Sequence, residues 1–225
     1  QKTAMDFYLQ NVEKQPDAAA ILGQQYEISY AELHRHVMIW SRWLRAKGIG
    51  KGDYVGIVME KDWQEPVAVL AVNLVGAAYV PINAHWPQTR QISIIESINL
   101  SIILTQPQCV EGVEALGELV LGVIDEQHNV ASKRENDEID WPLPAIGNCS
   151  HVIFTSGSSG LPKGVSISHG AMANTVFEIV DRFRLKSQDR VLALSAITFD
   201  LSVLDMFAAF SSGAALVLPL EKMRR

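Results

Sequence analysis

SYAELHRHVMIWSRWLRAKG, residues 29–48, opens on a capping box, Ser29 with Glu32 three residues on, and then sets Leu33, Val37, Trp40 and Leu44 at helical spacing. Gly48 offers the C-terminal stop, so the pattern predicts a helix over about residues 29–47. After a turn at Gly52-Asp53, the run YVGIVM, residues 54–59, is short, apolar and partly β-branched, as a buried strand is. The alternation continues with a helix that has Pro66 in its first turn and runs to about residue 75. A strand over 78–82, a helix from Pro87 carrying Ile92 and Ile95, and strands over 101–105 and 119–124 follow. Strands alternating with helices of this length need crossover connections, which predicts an α/β fold with a largely parallel, doubly wound sheet.

Further on, residues 126–150 are polar, carry Lys133, Arg134, Glu135, Asp137, Glu138 and Asp140, and close in Pro142 and Pro144; they read as a surface connection. Beyond it come a strand over 151–155, a Gly/Ser loop and a strand around 164–167. Ser168 then caps a helix striped by Met172, Val176, Ile179, Val180 and Phe183. A strand over 190–195, a short helix with Leu204, Phe207 and Phe210 ending at Gly213, and a strand over 214–218 complete the reading. The expected organisation is two stacked α/β units, residues 1–125 and 151–225, joined by 126–150.

With 48% hydrophobic and 20% charged residues in 225, the composition is that of a globular protein able to bury a sizeable core. A net charge of −6 with no cluster of Lys and Arg argues against a nucleic-acid surface. No apolar run is long enough to cross a bilayer, and residues 1–6 lack the apolar stretch of a secretory signal, so a cytoplasmic protein without a membrane partner is expected. Cys109 and Cys149 lie far apart without metal-ligand spacing and read as buried, inert thiols. Gln1 is not a natural start and Arg225 not an obvious stop, so the ends read as cut from a longer polypeptide.

The most informative segment is TSGSSGLPKG, residues 155–164. Its glycines let backbone N–H groups converge on an anion, the hydroxyls of Thr155, Ser156, Ser158 and Ser159 add donors, and Lys163 adds positive charge. It is not a Walker loop, because Pro162 replaces the glycine before the lysine and Gly164 the magnesium-binding Ser/Thr. A Gly/Ser surface turn is the plainer alternative on composition.

HVIFTSGSSGLPKG, residues 151–164, resembles the signature of the acyl-adenylate-forming superfamily. ISYAEL (28–33), LVGAAYVPIN (74–83, with Asn83 where Asp is usual) and FDLS (199–202) resemble three further elements in the right order, the last marking amino-acid-activating domains of nonribosomal peptide synthetases. The resemblance covers nearly the whole chain and implies the N-terminal part of such an adenylation domain. It implies that Thr155, Ser156, Gly157, Ser158, Ser159, Gly160, Lys163 and Gly164 handle the phosphates of ATP. It also implies that Asp200 pairs with the substrate α-ammonium, Leu201 and Leu204 wall the side-chain pocket, and Phe199 shields the ATP and carboxylate. Residues 199–207 resemble modules that activate cysteine, with Leu204 where those often show Tyr. From the residues alone, a carboxylate beside Phe199, Leu201, Val203 and Leu204 is costly unless paired, so Asp200 either caps the helix after it or faces a cationic ligand, and the cap is favoured because Asp is a preferred N-cap.

The implied reaction uses Mg·ATP and an amino acid, and passes the acyl group to phosphopantetheine on a carrier protein among neighbouring synthetase domains. The family's adenine, ribose and lysine elements do not occur within residues 1–225, so catalytic residues are expected beyond Arg225, no metal site within the chain, and no activity from the fragment alone. A catalytically silent structural or interaction segment, and an acyl- or aryl-CoA ligase, are the competing readings. His34, His36, His128 and His169 read as surface or packing residues, and Tyr79 and Pro81 as packing around a strand end.

Overall fold

The computed structural model describes residues 2–125, 139, 141–156 and 162–219. In chain order the elements are α1 (Ala4–Lys14), β1 (Ala19–Leu22), β2 (Glu27–Ser29), α2 (Tyr30–Ala46), β3 (Tyr54–Val58), α3 (Gln64–Leu74), β4 (Ala78–Pro81), α4 (Gln88–Ser97) and β5 (Ile102–Thr105). They continue with α5 (Val110–Glu114), β6 (Val120–Val123), β7 (Cys149–Ser156), β8 (Pro162–Ser168), α6 (His169–Phe183), β9 (Arg190–Leu192), α7 (Asp200–Ser212) and β10 (Ala215–Val217).

Two sheets result, a six-stranded one in the order β6-β5-β3-β4-β7-β8 and a four-stranded one in the order β2-β1-β10-β9. Strands β3 to β7 run parallel to their neighbours, whereas β8 is antiparallel to β7 and β2 to β1. The α/β class and the parallel crossovers are as the alternation predicts. The division into units does not follow the sheets, because each takes strands from both sides of residues 126–150: β4 pairs with β7, and β1 with β10. Strand partnership answers to buried surface, not to sequence distance.

The pleat explains how the larger sheet is covered. Val55, Ile57, Tyr79, Ile102 and Leu104 point to one face and join a core shared with α1, α2, α3, α6 and α7. Val58, Val80, Ile82, Ile103, Val152 and Phe154 point to the other and pack with Ile94, Ile95 and Val113 of α4 and α5. That is the period-two alternation of a sheet buried on both faces. All of α3, Gln64 to Leu74, is buried, as a helix between two layers must be.

The capping box is formed: the Ser29 amide donates to Glu32 Oε2 at 2.9 Å, and the Glu32 amide to Ser29 Oγ at 3.2 Å. The same device, Thr3 with Asp6, opens α1, a helix the sequence reading did not include. Helix α1 is stitched to the end of α7, where Asn11 Nδ2 donates to the Phe210 carbonyl at 2.9 Å and Gln15 Nε2 to that of Gly213 at 2.7 Å. Gly213 stops α7 at φ +80°, a left-handed conformation that calls for glycine, and a Cβ there would lie 2.4 Å from Gln15 Nε2 and displace that side chain. The helix it ends has 13 residues and is longer than expected. Cys109 is buried as expected, but Cys149 is only partly so, its Sγ 3.0 Å from Ser166 Oγ on the exposed face of the β7–β8 pair. No helix among the described residues is long and apolar enough to cross a membrane.

Candidate active site

The expected phosphate loop joins β7 to β8, an antiparallel pair. Strands β7 and β8 stay in register to its end, with Thr155 opposite Lys163 and Ser156 opposite Pro162. Gly157, Ser158, Ser159 and Gly160 lie outside the described residues, and so does His128. Thr155 and Lys163 are exposed, and Thr155 Oγ1 donates to the Lys163 carbonyl at 3.4 Å. The exposed ammonium of Lys163 is a donor suited to an anion, and the Thr155 hydroxyl becomes a second one if it turns from the Lys163 carbonyl.

Gly164 has a different reason to be glycine. It sits opposite Phe154, and a Cβ would come within 3.0 Å of Val152 Cγ1 and 3.1 Å of Phe154 Cζ. The backbone of β8 therefore lies close against the side chains of β7, which accounts for Gly164 by packing.

Beneath the hairpin lies a polar cluster that sequence reasoning passed over. Asn73 Nδ2 donates to the Ser150 carbonyl at 2.9 Å, and Ser150 Oγ lies 3.2 Å both from Asn73 Oδ1 and from His151 Nδ1. The His151 ring stacks on buried Tyr79, centroids 5.1 Å apart at 22°. His169, the first residue of α6, is fully buried, and neither ring nitrogen has a hydrogen-bond partner. Burial pushes both histidines down to about 4; His169 adds to the effect on His151, while Asp200 opposes it there and Asp6 opposes it at His169. Both rings are therefore neutral near pH 7. The signal in the sequence was His151 itself, which opens the quoted hairpin motif in an otherwise apolar strand. His34 and His36 are packing residues, His34 Nδ1 lying 3.3 Å from Tyr8 Oη and His36 lying against Trp63.

The expected substrate residues sit at the start of α7. Phe199, not Asp200, is the N-cap, and no side chain caps the helix. Asp200 is the first helical residue and is exposed. The capping alternative is thereby overturned, and so is the premise that apolar sequence neighbours desolvate the carboxylate. The two flanking residues point outward too, Phe199 being 65% and Leu201 55% exposed, while Val203 turns into the core. Ser202 fixes this turn by donating to the carbonyls of Phe199 at 2.6 Å and Ile197 at 3.2 Å.

Leu201 and Leu204 do share a concavity. They line a groove of about 680 Å³ with Phe183 of α6, Val191 of β9 and Leu194, and Asp205 adds a polar point. The volume is in the range of small-molecule sites. Among the described residues no group of His, Cys, Asp and Glu could hold a metal ion.

The AMP-binding enzyme family matches residues 8–225. Phenyloxazoline synthase MbtB of Mycolicibacterium paratuberculosis is 36% identical over 223 residues, 98% of this chain and 18% of that protein. Pyochelin synthetase PchE of Pseudomonas aeruginosa is 34% identical over 224 residues, 98% of this chain and 14% of its own length. The chain thus spans less than a fifth of either curated relative. Among solved structures, the nonribosomal peptide synthetase FmoA3 in its alpha-methyl-L-serine-AMP bound form superposes with a TM-score of 0.87 at 32% identity, over 97% of this chain and 24% of that one.

Proposed function

The chain belongs to the AMP-binding enzymes, and on that premise we propose that it is the N-terminal part of an adenylation domain that activates an amino acid within a nonribosomal peptide synthetase. In this reading a carboxylate oxygen of the amino acid attacks the α-phosphorus of ATP. A C–O–P linkage forms, the bond to the β-phosphate breaks, and pyrophosphate leaves. The phosphopantetheine thiol of a carrier protein would then take the aminoacyl group, the thioester C–S bond replacing the acyl C–O bond and AMP leaving, and Mg²⁺ would accompany the ATP. Catalysis of this kind is mostly positioning and charge neutralisation.

The observation that carries the reading is a juxtaposition. Asp200 is exposed on the first turn of α7, and α7 packs against α6, the helix that directly follows the hairpin strand bearing Lys163. A bound amino acid would meet an anion at one end and phosphate donors at the other. Lys163 and Thr155, with the loop between them, would hold the phosphates. Asp200 would pair with the α-ammonium, Leu201 and Leu204 would contact the side chain, and Phe199 would cover the reacting carboxylate.

The test is amino-acid-dependent exchange of pyrophosphate into ATP by the complete polypeptide that carries this chain. A panel including cysteine would be compared with des-amino analogues, in wild type and Asp200→Asn. The variant should lose discrimination against the des-amino acid. An exposed ion pair supports only about 0.2–1 kcal/mol, so a loss of about 2–5 kcal/mol would report that bound substrate closes water out. Discrimination unchanged in the variant refutes the role of Asp200. Absence of exchange with every amino acid favours a silent segment, and exchange with des-amino acids alone favours an acyl- or aryl-CoA ligase.

A further inference from the structure

The segment that carries Phe199 and Asp200 is held by groups that the proposed reaction does not otherwise use. Lys61 lies in the turn just after β3, at the C-terminal edge of the six-stranded sheet, and its side chain is only 13% exposed. Its Nζ donates to the carbonyl of Ser195 and lies 3.8 Å from Glu65 Oε1 in the first turn of α3, where Glu65 is 4% exposed. The amide of the same Ser195 donates to Asp205 Oδ2 of α7 at 3.2 Å. Both backbone groups of Ser195 are therefore engaged by charged side chains, one from each end of the architecture. Ser195 follows β9 of the four-stranded sheet and precedes Asp200 by five residues.

The turn that presents Lys61 is itself fixed. Asp62 Oδ1 accepts from the Trp63 amide at 2.8 Å and from the hydroxyl of Tyr26, in the β1–β2 connection. From Lys61 through Ser195 to Asp205, a chain of hydrogen bonds crosses from the sheet that bears the phosphate hairpin to the segment that bears Asp200. A lysine drawn largely out of water is costly to keep, and surface solubility does not explain one aimed at a loop carbonyl and a buried carboxylate.

We infer that Lys61, with Glu65 and Asp205, is a clamp of positioning residues that sets the 195–200 segment at the height where a substrate held by Asp200 meets the phosphate hairpin. The inference rests on the adenylation reading for its consequence in rate, and on geometry alone for its consequence in order. A reaction of this type is sensitive to placement: a shift of about 1 Å remote from the chemistry can cost around a hundredfold in rate. Asp205 acts here through Ser195, although it also borders the groove of Leu201 and Leu204.

The experiment uses the complete polypeptide with four variants. Lys61→Met removes the donor and keeps the stem; Lys61→Met combined with Glu65→Gln also removes the carboxylate left behind in the interior. Asp205→Ala removes the acceptor for the Ser195 amide, and Asp205→Asn keeps one. Pyrophosphate exchange gives kcat and KM, and amide hydrogen exchange reads the 194–202 segment. Expected for Lys61→Met and for the double variant is a kcat at least tenfold down, KM for ATP within about twofold, and faster amide exchange confined to 194–202. Asp205→Asn should retain most of the kcat that Asp205→Ala loses. A double variant that melts like wild type but keeps full kcat, or amide exchange raised evenly over the chain, overturns the clamp. If wild type shows no amino-acid-dependent exchange at all, the adenylation reading fails, and the clamp is decided by amide exchange at 194–202.

Discussion

Acid should unfold this protein through the two buried histidines at the root of the hairpin. His151 and His169 titrate at about 4 in the folded protein, each because burial penalises its charged form, against about 6.5 for an unperturbed histidine. The unfolded chain therefore takes up protons below about pH 6.5 while the native state refuses them until about pH 4. Their contribution is fully present above pH 6.5 and is lost as pH falls from there toward 4. Between those pH values a single histidine of this kind loses about 3 kcal/mol, a large part of the roughly 5–15 kcal/mol that holds a domain folded. Charge on His169 further disfavours charge on His151, so the losses add at least in sign. Urea midpoints from pH 7.5 to 4.5, for wild type and His169→Leu, measure the effect. Because neither nitrogen of His169 is hydrogen-bonded, the leucine strands no partner, and near pH 7.5 it should change stability little. Glu32, held low chiefly by the Ser29 amide, and His36, lowered by burial, contribute to acid sensitivity in both proteins and cancel in the comparison. The variant should show a visibly flatter pH dependence; parallel curves would refute the assignment.

Lys163→Ala should raise the KM for ATP, by about 1.5–3 kcal/mol if the ammonium donates to phosphate, and should shift the melting curve little because the side chain is exposed. Unaltered exchange at subsaturating ATP would mean that the hairpin tip is only a turn. Gly164→Val should destabilise by about 1–3 kcal/mol through contact with Val152 and Phe154, read as a lower urea midpoint. A neutral result would show that the two strands move apart freely.

The elements legible in the sequence are those whose signals are local. Helix α2 has both cap partners and its apolar stripe within one run, and the structure starts it at Tyr30 after the Ser29 cap. Strands β1 and β2 have four and three residues, too few for a pattern to form, and β1 pairs with β10 almost two hundred residues away. Such a partnership is set by surfaces that do not exist until the core does. The two-unit division misreads the sheets for the same reason: a polar run of 25 residues marks a surface path but carries no information on which sheet the chain rejoins. Helix α1 was legible and overlooked, since Thr3 and Asp6 have the spacing that was recognised at Ser29 and Glu32.

At the candidate site the sequence and the geometry diverge over what surrounds a residue. Asp200 has apolar neighbours on both sides, which in a linear reading suggests a desolvated charge that needs a partner. At the first position of a helix, however, consecutive residues fan out by about 100° each, and Phe199, Asp200 and Leu201 all face outward while Ser202, Val203 and Met206 turn in. A carboxylate there is hydrated and lies where a helix dipole favours negative charge. Burial and capping therefore give no reason for an aspartate at 200. What distinguishes the position is where it stands: one residue beyond an exposed phenylalanine, next to Leu201 and one turn before Leu204 of the groove. Phe199 and Leu201 are exposed large apolar groups flanking an exposed anion, a surface suited to a ligand with a cation and an apolar body. An α-amino acid has both.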